Sequence, residues 1–236
     1  EQDQTCTRAD LFAFQIVPGL AMVWVAAVGF WTWHVSRRVH SALPDTPEGR
    51  LFGYLPESEQ LAAASFTFQV WDFFISLTIP EHRGPIMLAH HVLAASVSYF
   101  SLEYQYLHYY GIFYLGLSEV SSIFLVMMNL AQHFPPPPAS PFHQFVEFVC
   151  GPLFVVTFFY YRVVLWWQVN VKLWKDAIYV LQNGIAEKLR PQKSFVLYLF
   201  LAMNVPLSIL QLYWFGLIVG ESAKVISSLV AALLNQ

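Results

Sequence analysis

Six ionisable residues stand inside otherwise uncharged apolar runs: Asp72, His90, His91, Glu119, Glu147 and Arg162. In hydrocarbon such a group costs about 2.5–3.5 kcal/mol on insertion scales, so it turns inward and finds a partner. Asp72 lies eight residues before Pro80, and His90 lies five residues after Pro85. If the chain folds back there as two antiparallel helices, their depths differ by about one helical turn, roughly 5 Å. An Asp72–His90 hydrogen bond is therefore expected. It would orient an imidazole and raise its basicity, or simply fix the register of two helices. His90 and His91 are adjacent and point ~100° apart on a helix, unlike the i, i+4 histidines that share one zinc. A metal would need further ligands from Glu119 or His108, and none is expected to bind.

Glu119 has Ser118, Ser121 and Ser122 beside it and Gly116 one turn back. Small and hydroxylated residues let helices approach closely; the same set could line a polar patch in a cavity. Arg162 at such a depth needs a carboxylate, either Glu119 or Glu147, and the expected structural ion pair is Arg162 with Glu119. No Gly-rich phosphate loop, Ser-His-Asp order or paired-cysteine motif accompanies these residues. Cys6 and Cys150 sit in a polar and an apolar setting and predict no disulfide framework.

The segments that must position these groups are six apolar runs, at residues 11–33, 61–79, 86–102, 107–134, 145–169 and 195–220. The first holds 23 residues without a charge, enough at about 1.5 Å per residue to cross a ~30 Å hydrocarbon core. It ends in Trp31, Trp33, His34, Arg37 and Arg38, an aromatic and basic anchor. Residues 40–60 read as a polar loop, and residues 80–85 as a tight turn. Pro135 to Pro138 read as a stiff extended loop. Over residues 171–190, Val171, Trp174, Ile178, Leu181, Ile185 and Leu189 recur at steps of three and four. That spacing predicts an amphipathic helix lying in the interface, broken at Asn183-Gly184. Pro206 is expected to kink the last span. Residues 1–10 form a polar tail, and residues 221–236 a tail or further surface helix.

Composition agrees. Of 236 residues 57% are hydrophobic and 11% charged, against about 45–50% and about 25% in soluble domains. A disordered chain, a coiled coil and an ordinary soluble fold are excluded, and long unbroken runs exclude a β-barrel. The fold class is all-α: a polytopic six-span bundle. A net charge of −3 with no basic surface argues against nucleic acid. With the N-terminus outside, eight Lys and Arg fall inside and three outside, which favours that orientation. An integral protein of an organelle or endomembrane is expected.

One stretch is more specific. Trp71-Asp72, Pro80-Glu81, His90-His91, Tyr110-Gly111 and Glu119 with Ser121 follow one another in order. This resembles the TLC-domain family, the six-span domain shared by ceramide synthases, and looks closest to its smaller TLC-domain-containing branch. His40-Ser41, Arg162 and Leu210 to Phe215 support the resemblance, which covers roughly residues 11–220. It implies lipid handling in a membrane. In ceramide synthases the histidine pair belongs to the acyl-transfer site and would map onto His90 and His91. Those enzymes carry a His-Asp and further acids in the next span, where this chain keeps only Glu119.

The leading expectation is thus a lipid-binding protein with little or no catalysis, its ligand near His90, His91, Glu119 and Ser122. An acyltransferase is the enzymatic alternative, with acyl-CoA as co-substrate, His91 as general base, and His90 or Asp72 in support. A third possibility is an accessory subunit, in which aromatic surfaces dock other membrane-protein subunits. Membrane lipids are the expected partners, and no cofactor is expected.

Overall fold

The computed structural model describes residues 8–234. Among these every regular element is helical. Six segments are long and apolar enough to span a membrane: Ala9–Val35, Pro56–Thr78, Pro85–Tyr104, His108–His133, Pro141–Gln182 and Phe195–Lys224. Cys6, and the polar tail up to residue 7, lie outside the described residues.

Prolines start several of these helices. Pro56, Pro85 and Pro141 each occupy the first helical turn, where a missing N–H costs nothing and the fixed φ suits the helix. The spans alternate in direction, and their connections gather at two ends. At one end the Leu107 N–H donates to the Leu51 carbonyl at 2.7 Å. There too the Tyr106 hydroxyl donates to the Lys193 carbonyl at 3.2 Å. At the other end Arg8 bonds Glu81 at 2.9 and 3.2 Å, and the rings of His82 and His133 lie 5.7 Å apart. The Glu81 carboxyl, bonded by Arg8, is held at about 2.

The segment read as a polar loop is more structured than its composition suggests. Thr46 accepts the Gly49 N–H at 3.1 Å and caps a short helix, Pro47–Phe52. Leu51 and Leu55 are wholly buried. The segment folds back beneath the bundle and joins the same core as Leu61, Tyr110, Ile112 and Phe113.

The fourth span is one segment with a break in it. Helix His108–Tyr114 stops, residues Leu117–Glu119 form a 3-10 turn, and helix Val120–His133 resumes. The break sits where the first span crosses. A side chain at Gly29 would come within 2.4 Å of the Leu117 nitrogen, and one at Gly116 within 2.8 Å of the Gly29 Cα. Two glycines are therefore required for the crossing.

The fifth span corrects two expectations. It does not end at Val169 but runs on to Gln182, so the amphipathic stretch continues the span. The buried face there is Val169, Leu173, Ala177 and Val180, while Val171 and Ile178 are exposed. Polar residues that would have stopped the span find partners inside the bundle. The indole N–H of Trp166 donates to Ser208 at 3.0 Å. The break at Asn183-Gly184 is present, with Gly184 at φ +64°. The last helix runs unbroken from Phe195 to Leu234, through Pro206 and into what was read as a separate tail.

Candidate functional site

Arg162 is the centre of a polar constellation inside the spans. It lies in a π-helical stretch, Phe158–Leu165. Such wide turns alter the phase of a helix and recur at functional sites. Its Nη2 donates to Glu119 Oε2 at 2.6 Å and to Ser122 Oγ at 2.9 Å. Its Nε donates to the Ser118 carbonyl and to Ser121 Oγ, both at 3.0 Å. Its Nη1 reaches Gln211 Oε1 at 3.2 Å. The interrupted fourth span thus supplies the carboxylate, two hydroxyls and a carbonyl, and the sixth span supplies an amide. The expected Arg162–Glu119 pair is present, and Ser122 belongs to it through its own bond to Glu119 at 2.6 Å. Glu147 is elsewhere, exposed and 3.4 Å from His143.

Beside this pair lies a cavity of about 80 Å³. His90, Gln69 and Asn204 join Glu119, Arg162 and Gln211 as its polar lining. Apolar walls come from Phe68, Val97, Leu107, Phe200 and Leu207. The ring of His90 stands edge-on to Trp214, with centroids 5.1 Å apart.

The histidine pair is divided between two surroundings. His91 is buried and faces the second span. Its Nδ1 meets Gln69 Oε1 at 2.7 Å, and its Nε2 lies 3.5 Å from Asp72 Oδ2. Asp72 also accepts from Ser76 at 3.1 Å. The carboxylate expected beside His90 is therefore beside His91. Depth along the hairpin was right to within a turn, but rotation about the helix axis chooses between neighbours, and it chose His91.

Several functional-looking groups escaped the sequence reading. Asn170, Asn204 and Ser208 form a buried network between the fifth and sixth spans. Asn204 donates to Asn170 at 3.0 Å, Asn170 to Ser208 at 2.7 Å, and Trp174 to Asn204 at 2.9 Å; the Tyr114 hydroxyl also donates to Asn170. Neutral amides carry no charge penalty and so raised no flag. Gln69 is another such group.

A second ion pair closes one end of the bundle. Arg50 donates to both oxygens of Asp176 at 2.6 and 2.7 Å, and to Asp45 at 2.5 Å. The Tyr110 hydroxyl also donates to Asp176, at 2.5 Å. Lys172 beside Asp45, with Arg50, lowers that exposed carboxyl below its ordinary range. Among the described residues no three His, Cys, Asp or Glu side chains converge as metal ligands would.

Comparison with known proteins gives one family. The model of the TLC domain matches residues 12–220, nearly the whole chain. None of the curated proteins and none of the solved structures compared matches it.

Proposed function

The chain belongs to the TLC-domain family, and from that premise we propose that it is a lipid-binding membrane protein whose bundle holds an acyl chain beside the Arg162–Glu119 pair. The observation that carries this reading is the cavity: apolar over most of its wall, with His90, Glu119, Arg162 and Gln211 gathered on it. Apolar walls with a few convergent polar groups are the usual form of a ligand site. The ion pair is neutral as a unit, so a hydrogen-bonding group can lie against it without bringing a counter-charge.

Binding without acyl transfer is the favoured chemistry. A general base must come within hydrogen-bond reach of the proton it removes. The base expected for acyl transfer, His91, does not line this cavity; its Nδ1 is bonded to Gln69, and its Nε2 faces Asp72 at 3.5 Å. The site residues are thus His90, Glu119 and Arg162, with Gln69 and Gln211 added, while Ser122 does not line the cavity and supports it through its bond to Glu119.

Native mass spectrometry with lipidomics tests the reading. Gently extracted protein should carry an enriched lipid class, and Ala94→Leu, which fills the cavity, should lower its occupancy at least fivefold while the bundle stays folded. Bound lipids that mirror the bulk membrane, or that ignore the substitution, would reject the site. Stable co-purifying proteins on a native gel would then bring the accessory-subunit reading forward. Acyl-CoA consumption that disappears with His91→Ala would instead restore the acyltransferase reading.

A further inference from the structure

The second and third spans are joined by an unusual seam. Ser65, Gln69, Asp72 and Ser76 recur at steps of four, three and four, so they form one stripe along the second span. The third span meets that stripe with His91 and Ser98. The contacts are Ser98 to Ser65 at 3.0 Å, His91 with Gln69 at 2.7 Å, and His91 with Asp72 at 3.5 Å. Small residues and hydroxyls fill the positions where large apolar side chains would interlock.

Open space lies on both sides of this seam. Inside is the cavity, lined by Ser65, Phe68 and Gln69 of the second span and His90, Ala94 and Val97 of the third. Outside is a groove lined by Phe66, Phe73, Phe74, Tyr99 and Phe100, with Gln69 and His91 at its floor. Gln69 borders both spaces. The groove is flanked by exposed Phe74 and Val92, which at this place in a spanning hairpin face the hydrocarbon of the membrane. What occupies such a groove in a bilayer is an acyl chain.

We propose that this seam is the lateral portal of the cavity: a bilayer acyl chain lies in the outer groove and passes inward where the Gln69–His91 hydrogen bond closes the seam. The proposal rests on the lipid-binding reading above. Closure by a few side-chain hydrogen bonds, each modest in a membrane, opens when the Gln69 and His91 side chains rotate and the two helices part slightly. A seam of interdigitated leucines would have to part much further to withdraw its side chains. Asp72, itself bonded by Ser76, lies 3.5 Å from the far nitrogen of His91 and marks the position to which the ring returns.

The test locks the seam in the full-length chain. Ser65→Cys and Ser98→Cys are combined with Cys6→Ser and Cys150→Ser, since a pair whose hydroxyls meet at 3.0 Å suits a disulfide. The purified protein, carrying its own lipid, is mixed with vesicles of the deuterated total lipid extract of the expression host. Native mass spectrometry then follows the mass of bound lipid over time. Oxidation is expected to slow exchange at least tenfold, and reduction of the same sample to restore it. His91→Ala, which removes the same closing bond at a residue that does not line the cavity, is expected to speed exchange at least threefold. Exchange that is unchanged by oxidation, with lipid still bound, overturns the portal and leaves the cavity reading standing. Absence of bound lipid in the reduced protein overturns both.

Discussion

Among the described residues two arginine–carboxylate pairs lie inside the bundle, and they differ in what surrounds them. Arg50 and Asp176 meet in a two-pronged contact at one end, sealed by Tyr110 and by the core residues of the folded-back loop. Arg162 and Glu119 meet midway along their spans through a single 2.6 Å bond, with hydroxyls and an amide around them and a cavity alongside. The first arrangement spends its geometry on closure. The second leaves the same chemistry facing empty space. Ion pairing alone therefore says little about role; the packing around it decides whether a charge holds helices together or meets a ligand.

The sharpest way to break this comparison is to strip each arginine of its partner. Asp176→Ala leaves Arg50 with only the exposed Asp45, and the expected loss is about 3–5 kcal/mol in reversible unfolding titrations. Arg162→Met should cost less, about 2 kcal/mol, because Glu119 borders a cavity that water can enter. Adding Glu119→Gln to Arg162→Met should recover part of that loss. Equal losses at the two sites would erase the distinction.

Packing gives the second contrast. Ala177 is wholly buried in the closed region, whereas Ala94 lines the cavity. Ala177→Leu should destabilise by about 1–3 kcal/mol, while Ala94→Leu should change stability by less than about 1 kcal/mol. A large penalty at Ala94 would mean the cavity is not available to an added side chain.

The smallest effect belongs to the opposite end. The folded Glu81 carboxyl sits at about 2, below its ordinary 4.5, because Arg8 bonds it. Its contribution is complete above the ordinary value and fades as pH falls through about 2. Glu81→Gln should therefore lower the melting temperature slightly at pH 6–8, by no more than about 1 °C for so exposed a pair. The difference from the unaltered chain should vanish near pH 2. A gap that widens on acidification would show the sign to be wrong.

How much of this was readable beforehand follows from the same physics. Spans are encoded by length and hydropathy, so all six were legible to within a few residues at most ends. Glu119 and Arg162 were legible because a lone charge in an apolar run demands a partner. The Asp72 partner was not, since spacing gives depth but leaves rotation about the axis open. Arg50 and Asp176 were hidden because both stood among polar neighbours, one in a loop and one on a helix read as interfacial. Only the fold of residues 36–55 under the bundle buries them. The polar stripe at Ser65, Gln69, Asp72 and Ser76 was present in the letters. It went unread because serine and glutamine cost too little to stand out.

The glycine crossing has a consequence for the order in which the protein is made. The first span packs chiefly against the fourth, and Gly116 leaves the ribosome roughly 90 residues after Gly29, some 5–20 s later at ordinary rates of synthesis. Through that interval the first span waits in the membrane without its partner, while the second and third can close on each other across a six-residue turn. A helix that waits must be at home in lipid by itself. The first span has the highest mean hydropathy of the six, 2.1, while the second and third, with 1.2 and 1.3, can carry their polar stripe because neither is ever long alone.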